Sequence, residues 1–383
     1  MVDINIKEVI EDKKTWFNIK RFNIGNINFE KPEKSIDFKN LTQFDSEVNN
    51  FPFVESTKSV KFETIEKLYD SSSEKDWEVK SFFGCKNWLK KPVVLNLTFN
   101  FDPLTIDNTE KKKALIGFLD NYYSYSNLML SIPNIKITKY NEKTKTIEKI
   151  INLNNYKTFV DFAYENLETK NNKPIFVPIS LRLSQKELQE LINYYIKKER
   201  FYYWVDFEGK AINSQTIGKL RFLFRSIKSL GYYNKTLTYF TNINREIIAN
   251  SQDENSPASD VLSTLCGANV VGVNKKPRKI IPIKKPSQED LKRFLENKIR
   301  LLDSNSYYYK KAEIKTINEK ICVIKNAIKL KNEFSVQAEN LLKSGGDIAN
   351  LLDKKDMLKS YLNGKILRDI ESKKEVKNLT NWY

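Results

Sequence analysis

Two acids stand two positions apart in the run YYWVDFEGK, residues 202–210: Asp206 and Glu208. In an extended strand, residues i and i+2 project to the same face, so the two carboxylates would lie side by side. Such a pair could hold a divalent ion, divide acid and base roles, or cap the mouth of a strand. Asp102 is a third acid at a strand end, in FNFD before Pro103. There catalysis competes with the ordinary use of an Asp beside a Pro as a turn former. The chain contains no histidine. Ser-His-Asp and Cys-His hydrolases, HExxH metalloproteases and histidine-liganded zinc are thereby excluded. Acid/base work falls to Asp, Glu, Lys, Tyr or Cys. Cys85, Cys266 and Cys322 are far apart and odd in number, which builds neither a disulfide framework nor a CxxC zinc knuckle. The Rossmann glycine fingerprint and the P-loop are both missing. The motifs call for no metal and no cofactor.

The charge balance points to a partner. Lys and Arg number 65 against 48 Asp and Glu, a net +17, which is the electrostatic footprint of a protein that meets a polyanion. The Lys-, Asn- and Ile-rich composition also fits an AT-rich genome, which leaves a merely basic protein as the alternative. The positive charge is densest at Lys275, Lys276, Arg278, Lys279, Lys284 and Lys285, with no acid between 270 and 288. Lys and Arg on phosphates give salt-dependent, sequence-independent affinity, so this string is the candidate nucleic-acid contact. The alternative is a solvated linker. Tyr307, Tyr308 and Tyr309 beside Lys310 and Lys311 could stack bases or dock one part of the chain onto another.

These residues need elements to hold them. With 40% hydrophobic and 12% aromatic residues, the chain reads as globular. No apolar run approaches the ~20 residues of a membrane span, and MVDINIKEVIEDKK is charged where a signal peptide needs an apolar core. A cytoplasmic protein without a membrane partner is expected, and a protein partner stays open. Residues 1–88 alternate short strand-like pieces with polar turns, an N-terminal α+β region. From about 92, strands and helices alternate: PVVLNLTFNFD, a helix, NLMLSIPN, a hairpin over 135–152, a helix, then KPIFVPISLRL. Ser184 three residues before Glu187 signals a capping box. The strand RFYYWVDFEG, a helix ending at Gly231, the strand KTLTYFTNI, a helix over SPASDVLSTLCG and the strand ANVVGVN complete the series. Strict alternation implies a parallel sheet with right-handed crossovers. The expected fold is therefore α/β, a (β/α)8-like barrel over 89–282, followed by a helical C-terminal region over 283–383.

The run from PIFVPIS through FYYWVDFEG and TLTYFTNI to SDVLSTLCGANVVGVNKKPRK resembles, over about 180 residues, the second half of the barrel in the tRNA-guanine transglycosylases and their DNA-acting deazaguanine relatives. FNIGNINFEKPEKSI resembles that family's N-terminal strand. The resemblance implies a barrel that exchanges or recognises a (deaza)guanine base in tRNA or DNA. A carboxylate would attack C1′ and a second would protonate the leaving base, with Asp102, Asp206 and Glu208 as the acids and residues 275–285 on phosphates. Three departures accompany it. Gly272 stands where the family has its nucleophilic Asp, VPISLRLS replaces the glycine-rich substrate loop, and the family's zinc site has no counterpart. A catalytically silent nucleic-acid-binding or scaffold subunit and a D-x-E metal nuclease are the alternatives.

Overall fold

In the computed structural model the described residues are 4–12, 18–42, 46–69, 76–84, 90–106, 108–141, 144–170, 172–246, 254–275, 299–312, 318–347, 351 and 353–360. The chain opens with an antiparallel sheet of β1 (Ile4–Glu11), β2 (Asn18–Ile24) and β3 (Ile27–Phe29). Two parallel sheets follow. One has β5 (Ile36–Asp37), β6 (Val54–Val60), β7 (Val93–Phe99) and β9 (Asn134–Ile135) in that order. The other runs β4 (Glu33–Lys34), β16 (Val270–Val271), β14 (Leu237–Thr241), β13 (Tyr202–Asp206), β12 (Ile175–Ser180) and β8 (Leu130–Ser131). The sheets share two stretches of chain. Residues 33–37 pair on one side with β16 and on the other with β6. Residues 130–135 pair with β12 and then with β7. The parallel array is therefore curled, with a seam at each shared stretch.

The sequence explains the curl's interior. Every residue of IFVPIS and six of the seven in VVLNLTF are buried, as for parallel strands covered on both faces. Pro178 cannot donate to a neighbour. It sits in β12 beyond Phe176, the last residue paired with β8, and its carbonyl lies 2.9 Å from the hydroxyl of Tyr195 and 3.1 Å from that of Tyr156. The Tyr122 hydroxyl donates to Leu95 O at 2.9 Å and accepts from Ser131 N at 3.1 Å. Buried phenols thus satisfy backbone groups that strand pairing leaves open at the 130–135 seam.

Helices α1 (Phe62–Tyr69), α2 (Asp76–Phe83), α3 (Thr109–Tyr125), α4 (Leu153–Glu168), α5 (Gln185–Lys197) and α6 (Ser214–Ser229) lie between the strands. The Ser184–Glu187 capping box opens α5 as expected, and β10 (Thr138–Asn141) pairs with β11 (Thr146–Lys149) in the expected hairpin. Two expectations change. SPASDVLSTLCG is not a helix: Asn255–Pro257 is a strand, β15, and Ser259–Leu262 a 3-10 turn. The start of that run is taken by long-range pairing, Ser256 with Tyr309 and Pro257 with Tyr308. The C-terminal region is not wholly helical either, because β17 (Arg300–Asp303) and β18 (Tyr308–Lys311) extend β15 into an antiparallel sheet. Helix α7 (Glu319–Lys343) packs on β17 and β4, and a short α8 (Asp356–Ser360) follows. Tyr307 and Tyr309 are buried, donating to Glu333 and Asp260 at 2.9 Å each, so they dock this sheet onto the main body. Strand pairing crosses residue 88, between β6 and β7, and joins residues 255–257 to 308–310. Among the described residues no helix is long and apolar enough to cross a membrane.

The N-terminal sheet covers the strands' N-terminal ends. Phe22 and Phe29 stack at 4.7 Å and join Val94, Phe176, Trp204, Leu237 and Val270 in one apolar cluster. Buried Lys20 anchors it, donating to the Thr236 carbonyl at 2.5 Å and also to Tyr233 O. Burial pulls its pKa from 10.5 down to about 7, partly offset by the charge of Glu11. A lowered folded-state value means that Lys20's contribution is complete above the unfolded pKa and is lost as pH falls toward the folded one. Lys20→Met, which takes its donor from the buried Thr236 carbonyl and one of the donors from Tyr233 O, is expected to destabilise by about 1–3 kcal/mol. Its deficit against wild type should widen by roughly 1 kcal/mol per pH unit above neutral. Denaturant titrations at pH 7, 8 and 9 measure both; a deficit independent of pH would show that Lys20 folds without a shifted pKa.

Candidate active site

The C-terminal ends of the parallel strands open onto one cavity of about 640 Å3, lined from both sheets. Asp37, Lys39, Thr57, Lys58, Ser59, Thr98, Asn100 and Lys136 come from the four-stranded sheet and the residues just past it. Arg182, Asp206, Glu208, Gly209, Asn242, Asn244, Val273, Asn274 and Lys275 come from the six-stranded one. Active sites of parallel-strand arrays form at this end because the loops there converge while the strands hold them still.

Asp206 ends β13 and is fully buried. Its Oδ1 accepts from Asn242 Nδ2 at 2.8 Å and from Glu208 N at 2.9 Å. Its Oδ2 accepts from Asn134 Nδ2 at 3.1 Å and from Thr98 Oγ1 at 3.3 Å. Four donors, from β7, β9, the turn after β13 and the residue after β14, are the complement of a carboxylate, which as an anion can only accept. The Asn134 amide is itself oriented, since its Oδ1 lies 2.9 Å from the Tyr156 hydroxyl.

Glu208 is held in another way. Phe207–Lys210 makes a tight turn, closed by Lys210 N on Phe207 O at 2.9 Å, and both central residues have left-handed φ, 50° at Glu208 and 82° at Gly209. For Glu this backbone costs about 1–2 kcal/mol. The bond from Glu208 N to Asp206 holds it there, and the turn brings the carboxyl back over the strand end. Ser180 Oγ donates to Glu208 Oε1 at 2.5 Å, and Arg182 Nε stands 3.4 Å from Oε2. Burial raises the Glu208 pKa above its usual 4.5, and the charge of Asp206 adds to the rise; Ser180 and Arg182 oppose it. Asn242, which donates to Asp206, also has left-handed φ, 55°. Non-glycine residues in this conformation gather at functional sites.

The cavity thus has two unlike carboxyl groups on one wall and cations around it: Lys39, Lys58, Lys136, Arg182 and Lys275. Among the described residues no cluster of three or more His, Cys, Asp or Glu offers a metal shell. Asp206 spends its acceptor positions on N–H and O–H donors, so the pair does not fit a D-x-E metal site.

Of the sequence candidates, the structure brings together Asp206, Glu208 and Lys275. Asp102 is absent from the cavity lining. It caps the 3-10 turn Pro103–Thr105, accepting from Leu104 N at 3.0 Å, the turn-forming use of an Asp before Pro. Lys276, Arg278, Lys279, Lys284 and Lys285 lie outside the described residues. Sequence reasoning missed Lys39, Lys58, Lys136, Ser180, Arg182 and Asn242. Ser180 and Arg182 share a signal with Asp206 and Glu208: β12 pairs Ser180 with Asp206 in register, so both acids and their partners sit at matching positions past adjacent strand ends.

Gly272 has a structural reason. A Cβ there would lie 2.5 Å from Glu55 Oε2 and 2.5 Å from Thr241 Cγ2. Glu55 is fully buried and accepts from Ser35 Oγ at 2.6 Å, Asn96 Nδ2 at 2.8 Å, Val273 N at 2.9 Å and Thr57 Oγ1 at 2.9 Å. Its carboxylate takes the space that a side chain at 272 would need.

No protein-family model matches the sequence, and no curated protein does. Among solved structures the chain is similar to a Cellulomonas fimi endo-beta-1,4-mannanase double mutant, with 11% identity over 69% of this chain and 70% of that one and a TM-score of 0.36. It is similar also to an engineered protein, with 11% identity over 69% of this chain and 68% of that one and a TM-score of 0.39.

Proposed function

We propose that the two sheets and their shared stretches are one closed (β/α)8-type barrel, and that the protein recognises and exchanges a base in tRNA or DNA by glycosidic chemistry at the Asp206–Glu208 wall. The observation that carries this reading is the pairing of unlike carboxyl groups inside a cation-rimmed cavity. Environments that push two acids apart assign their roles. Glu208, raised by burial and by Asp206, is the proton donor to the leaving base and the base for the incoming one. Asp206 supplies the negative charge that stabilises an oxocarbenium-like centre at C1′. The ring of lysines and Arg182 meets the phosphates of the strand that carries the base. The resemblance to the transglycosylases supports the substrate class, and Gly272 in the family's nucleophile position transfers the acid work to β13.

A binding protein without catalysis is the second reading, favoured by the four donors that already occupy Asp206. One experiment separates the two. Duplex DNA, single-stranded DNA and tRNA are titrated as salt rises, and the tightest binder is then incubated with labelled guanine or deazaguanine. Exchange in wild type supports the enzyme. Salt-dependent binding with a log–log slope of about −0.7 to −0.9 per phosphate contact, without exchange, supports the silent binder. No binding at low salt removes both.

A further inference from the structure

Beside Glu208 and its turn, three cations are gathered with little to balance them. Lys210 Nζ and Lys219 Nζ both donate to one carbonyl, Leu181 O, at 3.1 Å and 2.8 Å. A shared acceptor at those distances keeps the two ammonium groups within about 6 Å of each other. Lys219 also donates to Leu183 O at 2.6 Å. Arg182, between those two carbonyl residues, points its guanidinium to Glu208 at 3.4 Å. The lysines come from different elements, Lys210 from the turn after β13 and Lys219 from α6, and the loop after β12 clamps both.

The nearby anions, Glu208 beside Lys210 and Glu187 beside Lys219, offset only part of this charge. Glu208 shares a single long contact with Arg182. Glu187 acts on Lys219 at a distance but is already paired with Lys149 and with the Ser184 cap. Burial pulls the Lys210 pKa down to about 8, and the charges of Arg182 and Lys219 add to the fall, with Glu208 opposing it. Lys219 is lowered by burial and by Arg182. Like charges have been placed together where an external anion would relieve them.

We propose that Arg182, Lys210 and Lys219 form a phosphate-binding subsite that holds the phosphodiester next to the nucleotide at Glu208. The placement rests on the proposed base-exchange site, whereas the anion subsite itself does not. Two lysines supply point charges and Arg182 a planar fork, a combination suited to the oxygens of a tetrahedral phosphate. At the same turn Lys275 packs on Gly209, its Cγ 3.2 Å from where a Cβ would stand. Cations therefore touch the turn at Glu208, through Arg182, and at Gly209, through Lys275, and a strand laid across it would meet more than one phosphate contact.

The test uses the full chain, pyrophosphate and a single-stranded oligonucleotide. Lys210→Gln/Lys219→Gln is compared with wild type, with Lys210→Arg/Lys219→Arg, and with a control pair at exposed sites off the cavity, Lys112→Gln/Lys325→Gln. Circular dichroism establishes that each variant folds. The expected result is pyrophosphate binding in wild type, weakened about tenfold or more in the Gln pair, kept in the control and largely restored by Arg. The oligonucleotide's log–log salt slope should become shallower by about 1 for each lysine removed. Equal pyrophosphate affinity and equal slope in wild type and the Gln pair would overturn the subsite while leaving base exchange standing. Pyrophosphate binding lost in the Gln pair, in a wild type that binds no nucleic acid, would keep the subsite and remove the base-exchange reading.

Discussion

Glu208→Gln is expected to lower base-exchange turnover by about a thousandfold, the scale of a lost general acid, with little change in folding stability. The amide keeps the size of the side chain. Its oxygen can still accept from Ser180 Oγ, which now stands 2.5 Å from Oε1, and the left-handed turn depends on Asp206 rather than on the carboxyl. What goes is the transferable proton. The loss should fall on kcat, since nothing places Glu208 in substrate binding apart from its proton. In wild type, turnover should decline as pH rises through the raised Glu208 pKa, because the acid must be protonated to act. Asp206 contributes to that rise. In Asp206→Asn any residual activity should therefore decline at lower pH than in wild type. Steady-state kinetics across pH 4–8 reads both effects. Full turnover in Glu208→Gln would take the acid role away from this residue.

The second large effect is on folding. Gly272→Ala is expected to cost about 3 kcal/mol or more, because the new methyl must displace the Glu55 carboxylate or the Thr241 methyl, each 2.5 Å away. Overpacking alone costs about 1–3 kcal/mol. Moving Glu55 also strands the four donors that now converge on it, and unpaired buried donors cost about 1–3 kcal/mol each. Gly272→Asp, which puts an acid where the proposed resemblance would have one, should be worse and should not create a nucleophile. Denaturant midpoints at fixed m-value measure this. A stability loss below 1 kcal/mol in the Ala variant would mean that Glu55 is not seated against Gly272.

Local signals in the sequence carried much of this. The capping box at Ser184 and the alternation over 138–149 are short-range patterns, and the structure keeps them. The i, i+2 spacing of Asp206 and Glu208 identified the pair that lines the cavity, although Glu208 reaches it through a turn rather than an extended strand. Other features depend on contacts far apart in the chain. Ser256 and Pro257 read as a helix start until Tyr308 and Tyr309 claim them as strand partners. Lys39 and Lys136 are single lysines just past strand ends and Lys58 is one within β6, in a chain with 65 basic residues, so nothing local separates them from lysines on a solvated surface. Asp102 shows the converse: a strand-end acid that caps the turn after it and accepts from Asn155 Nδ2 at 3.4 Å, away from the cavity lining.

The seams have a mechanical consequence. At residues 33–37 and 130–135 the chain offers only two paired residues to each sheet, whereas β6 and β7 are paired over seven. The carboxyl wall stands on the six-stranded sheet, and Lys39, Lys58 and Lys136 stand opposite on the four-stranded one. The aperture between acid and ammonium is thus set by joints that, with β14–β16, are the shortest parallel pairings among the described residues. The Tyr156–Asn134–Asp206 chain spans one of them, so a slip at that joint loosens the acid as it widens the opening. Under the proposed reading, a polyanion that gripped both walls would act as a staple across the seams and tighten the site it occupied.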